Sequence, residues 1–199
     1  MPVLLELRTS IFSTDGESSK LSERFVAKWC EKHPDTEVVV RDLATDPVPH
    51  LTADRFRAFL TPKDDRTPAQ VEHVEASDEL IEELRSADTV VLGLPMYNFG
   101  IPSALKAWFD HVARAGVTFR YTESGSVGLI GDKPLYILAA RGGLYQGTER
   151  DFQTGHVRLF FNLLGIKNIH FEYAEGLNIS PESKEKSLQE AHSAIDSLI

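Results

Sequence analysis

Hydrophobic and polar positions follow two different periods along this chain. Short apolar runs fall at Val3–Leu7, Glu37–Asp42, Thr89–Leu94, Leu135–Ala140 and Asn168–Ala174. Runs of this length, rich in Val, Ile and Leu and bounded by turn formers, read as strands. Between them the apolar residues recur three and four apart: Leu21, Phe25, Val26 and Trp29; then Val71, Val74, Leu80, Ile81 and Leu84; and finally Leu188, Ala191, Ile195 and Leu198. That spacing predicts helices over about Ser18–Lys32, Pro68–Arg85 and Pro181–Ile199. Further helices are expected over Ser103–Ala115 and Asp151–Leu164, with a short one over Ala53–Leu60. Ser18 or Ser19 is the expected cap of the first helix, His33-Pro34-Asp35 its stop, and Gly116 the end of the helix before it. From Val117 an extended excursion runs through Gly125, Gly128 and Gly131 before the fourth strand.

Five strands alternating with about five helices, without internal repeat or compositional break, predict one α/β domain over residues 1–199. Such alternation implies a parallel sheet covered on both faces. Periodicity alone does not order the strands. Five strands suit the flavodoxin-like order 2-1-3-4-5 better than the six of a full dinucleotide fold.

Ligands of open parallel sheets bind outside the carboxyl ends of the strands, so the loops after strands one, three and four carry the candidate chemistry. The first, Thr9 to Ser19, contains Ser10, Ser13, Thr14, Ser18 and Ser19 and leads into a helix N-terminus. Hydroxyls and free N–H groups in that position suit an anion. The loop has neither the lysine of a P-loop nor a G-x-G-x-x-G fingerprint, so a single phosphate, as in FMN, fits it best. A Ser-rich capping loop is the alternative, and Asp15 and Glu17 place negative charge beside the anion. The second loop holds Met96, Tyr97, Asn98 and Phe99 between Pro95 and Pro102. The prolines hold it open, and its apolar and aromatic groups suit a flat ring system. The third, Ala140-Arg141-Gly142-Gly143-Leu144-Tyr145, has paired glycines that allow close backbone approach to a ligand, or form a plain turn. Taken together, the loops match the phosphate, ring face and pyrimidine edge of a flavin.

Charge and composition narrow the partners. A formal charge of -9 argues against nucleic acid or an anionic membrane as the main partner. The single cysteine, Cys30, forms no internal disulfide and reads as an inert, half-buried thiol. Val3-Leu4-Leu5 is broken by Glu6 and Arg8, too short for a secretion signal, and no stretch reaches the roughly 20 apolar residues of a membrane span. A cytoplasmic location is therefore expected. The seven histidines show no metal-ligand spacing, no metal is expected, and no G-x-S-x-G esterase elbow occurs.

Four segments carry a resemblance: Met96-Tyr97-Asn98-Phe99, the eleven residues Ala113 to Glu123, Arg141-Gly142-Gly143 and Ala174-Glu175-Gly176. Together they resemble the FMN-dependent NADH:quinone oxidoreductases known as azoreductases, over nearly the whole chain. The resemblance implies a flavodoxin-like homodimer with FMN held non-covalently at its interface. It implies cofactor contacts at Ser10, Gly16, Glu17 and Ser18, at Met96, Tyr97, Asn98 and Phe99, and at Ala140, Arg141, Gly142 and Gly143. Gly16-Glu17-Ser18 stands where many members have Ser-Gln-Ser, and Ala140 where many have Ser, so two hydroxyl contacts are absent. The implied chemistry is ping-pong: NADH or NADPH gives hydride to flavin N5 and leaves, and a quinone or azo compound then takes it. On this reading Asn98 and the Tyr97–Phe99 backbone lie near N5 and O4. Gly142, Gly143 and Tyr145 face the N1–O2 side, with Tyr145 the one candidate proton donor. Phe119 and Tyr121 wall the substrate pocket from the partner subunit. A flavodoxin-type electron carrier and an NAD(P)H:FMN reductase remain as alternatives.

Overall fold

Each apolar run becomes a strand and each periodic stretch a helix. The computed structural model describes residues 1–199 as β1 (Val3–Arg8), α1 (Glu17–Lys32), β2 (Glu37–Asp42), α2 (Ala53–Leu60), α3 (Pro68–Ser86), β3 (Thr89–Pro95), α4 (Ser103–Val112), β4 (Phe119–Thr122), β5 (Gly125–Gly128), β6 (Leu135–Ala140), α5 (Phe152–Leu164), β7 (Ile169–Ala174) and α6 (Pro181–Leu198). The main sheet is parallel, in the order β2-β1-β3-β6-β7. Counted without the hairpin β4–β5, this is the flavodoxin-like order 2-1-3-4-5 expected from the strand count.

Side-chain alternation along the strands divides the core between the two faces of the sheet. Leu5, Leu7, Val90, Leu92 and Ile137 pack with Ile81, Trp108 and Phe161 from α3, α4 and α5. On the other face Leu4, Val91 and Leu138 pack with Leu21 and Phe25 of α1 and Ile195 of α6. Each such side chain, fully buried, contributes about 1.5–3 kcal/mol, which is why β3 and β6 read as nearly unbroken apolar runs. The exception on β3 is Gly93, where an added Cβ would lie 3.0 Å from the Ser18 carbonyl oxygen. Its bare backbone lets the first turn of α1 settle close to the sheet.

Two local expectations are corrected, and a third is made specific. Neither Ser18 nor Ser19 caps α1: the N-cap is Gly16, and no side chain caps the helix. The helix before Gly116 ends at Val112, not Ala115. The cause is Thr118, whose hydroxyl accepts from the Arg114 N–H at 2.9 Å and donates to the Val112 carbonyl at 2.7 Å, diverting the chain from helix. The extended excursion is an antiparallel hairpin, pairing Phe119 with Gly128 outside the main sheet. It is fastened to the end of α5, where the Ile130 N–H donates to the Leu164 carbonyl at 3.1 Å. No helix is long and apolar enough to cross a membrane.

Candidate active site

The ends of β1, β3 and β6 frame a cleft in two connected parts. The first, about 300 Å³, is lined among others by Ser10, Gly16, Ser18, Met96, Tyr97 and Gly142. The second, about 450 Å³, is lined by Met96, Asn98, Phe99, Gly142, Gly143, Tyr145 and Asn178. Met96, Gly142 and Asn178 belong to both, so the parts form one continuous trough.

At the β1 end the uncapped start of α1 defines the chemistry. The first N–H groups of a helix have no acceptor within it, and here no side chain supplies one. Ser18 and Ser19 are buried, and the Oγ of each has no hydrogen-bond partner. Leaving a buried hydroxyl unsatisfied costs about 1–3 kcal/mol, so the free N–H groups together with Ser18, a residue of the cleft wall, suit an anion. Ser10 closes this end from the side: an added Cβ on Gly16 would lie 2.1 Å from Ser10 Oγ. Thr9 fixes the loop to the neighbouring strand, its hydroxyl donating to the Gly93 carbonyl at 2.7 Å. Ser13, in the left-handed region at φ 49°, donates to Asp42.

The loop after β3 is a tight turn. The N–H of Tyr97 donates to the Gly100 carbonyl at 3.2 Å and the N–H of Gly100 to the Tyr97 carbonyl at 3.0 Å. Asn98 and Phe99 between them both have positive φ, 48° and 66°. Asn tolerates that region, whereas for Phe it is a strained conformation of the kind concentrated at ligand sites. Two consequences follow. The Tyr97 N–H is consumed within the turn, while the Asn98 and Phe99 N–H groups find no acceptor in the chain. The Tyr97 side chain turns back to the β1 loop, its hydroxyl accepting from the Ile11 N–H at 3.2 Å.

The loop after β6 is held from behind. The carbonyls of Arg141, Gly142 and Gly143 accept from the N–H groups of Leu177, Asn178 and Gly176 at 3.1, 3.0 and 2.9 Å, while the Gly142 and Gly143 N–H groups have no acceptor in the chain. Arg141 lines the cleft but does not offer its charge there. Its side chain is 0% exposed and pairs with Asp151 and Glu175, themselves 8% and 12% exposed. Its Nε donates to Gln153 Oε1 at 3.2 Å, and Gln153 Nε2 donates to the Pro95 carbonyl at 2.8 Å. Glu175 Oε1 accepts from the N–H groups of Tyr145 and Gln146, each at 3.0 Å. One buried guanidinium thus braces the loops after β3, β6 and β7 against each other. Burial pushes the Asp151 carboxyl up, but the Thr154 N–H and hydroxyl and the Arg141 charge outweigh it and hold the group below its ordinary range.

Comparison with known proteins decides what this trough belongs to. The family model described as a flavodoxin-like fold matches residues 4–199. The chain is 53% identical over 184 residues to the FMN-dependent NADH:quinone oxidoreductase of Cellvibrio japonicus, covering 92% of each chain. It is 50% identical to the protein of that name from Alcanivorax borkumensis, covering 96% of this chain and 97% of that one. A crystal structure of azoreductase from Bacillus anthracis superposes with a TM-score of 0.91 at 30% identity, covering 100% of this chain and 98% of that one. An FMN-dependent NADH-azoreductase from the same species, solved in complex with FMN, superposes with a TM-score of 0.87 at 27% identity, covering 100% and 99%. The chain belongs to the FMN-dependent NADH:quinone oxidoreductase family.

For a member of that family the residues present fit FMN, on the evidence of the unpartnered Ser18 hydroxyl beside an uncapped helix. Ser10, Gly16, Glu17, Ser18, Met96, Tyr97, Ala140, Arg141 and Gly142 line the first part of the trough, and Asn98, Phe99, Gly143 and Tyr145 the second. Phe119 and Tyr121 line neither part: Phe119 is 7% exposed in the hairpin base and Tyr121 77% exposed on its surface. Asn178 and Lys184 also line the trough, and Asp151, Gln153 and Glu175 brace it through Arg141; the sequence reading assigns none of these five a role. Of these only Glu175 carried a signal, through its place in Ala174-Glu175-Gly176.

Proposed function

We propose that this protein is an FMN-dependent NADH:quinone oxidoreductase that also reduces aromatic azo compounds. One observation carries the reading: an uncapped helix N-terminus with a buried, unpartnered hydroxyl opens into a trough whose far walls offer backbone N–H groups without acceptors. When bound, FMN supplies a ring that accepts hydride from NADH or NADPH and passes it to the acceptor. The chain's own residues bind and orient. The N–H groups of Glu17, Ser18 and Ser19 and the hydroxyls of Ser10 and Ser18 hold the phosphate. Met96 and the Asn98–Phe99 turn set the ring plane, and the Asn98 and Phe99 N–H groups, which have no acceptor in the chain, address its N5–O4 edge. The Gly142 and Gly143 N–H groups meet the N1–O2 edge, where negative charge develops on reduction. Donors fixed in advance need no reorganisation, and Arg141, Gln153 and Glu175 are what fix them. Tyr145 packs edge-on against Phe99 at 5.7 Å between ring centroids, a position from which its phenol serves as proton donor to the acceptor.

The proposal includes a homodimer with the trough at its interface, Phe119 and Tyr121 serving the partner's pocket. It is supported by the exposed Tyr121, Val127 and Leu129 of the hairpin and the exposed Phe152 and Leu159 of α5. Such apolar surface on a monomer marks an interaction face. We place the enzyme in the cytoplasm, consistent with its nicotinamide donor. Steady-state NADH oxidation with benzoquinone tests the reading: rapid turnover with parallel double-reciprocal lines supports it. Turnover that requires excess free FMN as acceptor would instead make the protein a flavin reductase. No turnover with either would make it an electron carrier.

A further inference from the structure

The phosphate end of the trough carries a charge pair that flavin binding as such does not require. Glu17 is the first residue of α1, and its side chain lines the cleft together with Asp15. Carboxylates beside a phosphate dianion repel it. Two cations also line this part, Arg141 and Lys184. The charge of Arg141 is already matched by Asp151 and Glu175, which leaves Lys184 of α6. Its Nζ lies 2.9 Å from Glu17 Oε1, and the two residues are 167 positions apart in the chain. Lys20 also reaches Glu17 Oε1, at 3.4 Å, but lies outside the cleft. The Lys184 side chain is 43% exposed, and an ammonium has three donors, so the bond to Glu17 leaves two for a ligand. Burial pushes the Glu17 carboxyl up, but the hydrogen bond and charge of Lys184, aided by Lys20, prevail and keep it ionised below its ordinary range.

We propose that Glu17 and Lys184 act as one phosphate-selecting unit, in which Lys184 both neutralises the Glu17 carboxylate and attracts the FMN phosphate. This rests on the flavin reading above and deepens it. Without Glu17, Lys184 would attract any phosphate more strongly; without Lys184, Glu17 would repel one. The pair sets affinity between those limits and makes it depend on salt, because the charges are partly exposed.

The experiment compares FMN with riboflavin, which has the same ring and no phosphate, by fluorescence titration of apoprotein at low and moderate ionic strength. Lys184→Gln is expected to weaken FMN about tenfold and leave riboflavin within about twofold. Glu17→Gln is expected to tighten FMN about threefold or more, also without effect on riboflavin. The double variant restores the wild-type net charge and should bind FMN within about threefold of wild type. Lys184→Arg should retain FMN affinity, which separates charge from folding. An FMN-to-riboflavin affinity ratio unchanged by Lys184→Gln overturns the proposal. So does a double variant as weak as Lys184→Gln, since Lys184 would then act without Glu17. Wild-type protein that binds neither flavin overturns the flavin reading itself, a result distinct from the other two.

Discussion

Arg141→Met is the sharpest test of how the site is built. Methionine keeps much of the side-chain length and removes the one cation among Asp151, Glu175, Gln153 and Thr154. Arg141 makes hydrogen bonds of 2.9–3.2 Å to all four, and its guanidinium carbon lies 4.8 Å from the centre of the Tyr173 ring. Removing one partner of a buried ion pair costs about 3–5 kcal/mol, because the other is left as an uncompensated buried charge. Here two carboxylates are left, and a total stability of about 5–15 kcal/mol for a domain makes the loss large but survivable. Asp151 will relieve part of it by taking up a proton, since it loses the Arg141 hydrogen bond and charge that help hold its carboxyl down while burial still pushes it up. The deficit should therefore shrink as pH falls. Urea unfolding of the apoprotein at pH 8 should show a loss of about 3–5 kcal/mol, clearly smaller at pH 5.5. FMN affinity should fall by about tenfold or more, because Tyr145, Gln146 and Pro95 lose their common brace. A loss below about 1 kcal/mol, independent of pH, with FMN affinity intact, would refute the reasoning.

The other predictions concern single positions. Gly142→Val would place its Cβ 2.6 Å from Asn178 Nδ2, and Asn98→Ala removes the residue type best suited to φ 48°; both should weaken FMN retention or slow flavin reduction, read by dialysis and stopped-flow absorbance, with unfolding midpoints little changed for Asn98→Ala. Gly16→Ser supplies the hydroxyl that the family resemblance implies at this position, but its Cβ would meet Ser10 Oγ and Cβ at 2.1 and 2.6 Å, so it should cost about 1–3 kcal/mol in urea unfolding instead of improving FMN binding. Asp151 has its folded pKa below the ordinary value of 3.8, so the stability it contributes is full above that pH and is lost as pH falls through the lower folded value. FMN release in an acid titration should accordingly begin below about pH 4 in wild type, and Asp151→Asn should remove that step.

What the sequence disclosed and what it hid follow from the range of the interactions. Strands such as Leu135–Ala140 were legible because burial on both faces forces every position to be apolar. The fivefold alternation of strand and helix then left few topologies, and the three ligand loops came from the rule that sites lie at strand ends. The roles of individual side chains were less visible. Gly16 in place of a capping serine leaves the α1 N-terminus open, and Ser-rich sequence reads equally well as a cap. Thr118 ends α4 by a bond to a carbonyl six residues back, which no periodicity reports. Arg141 looks like a ligand residue beside two glycines, yet its partners lie 10, 12 and 34 positions away and turn it into a brace. Asn98 hints at a left-handed turn; the same backbone at Phe99 leaves no trace in residue type. Lys184, on the last helix, meets Glu17 only through the closing of α6 onto α1.

The account stands or falls on whether this trough holds FMN and makes it reducible by NADH. An anaerobic visible spectrum of the purified protein, with the released flavin identified and counted, measures that directly. The expected result is a yellow protein carrying FMN close to one per chain, bleached by NADH and restored by benzoquinone. Protein that is colourless as isolated, and remains so after soaking in FMN and dialysis, contradicts it.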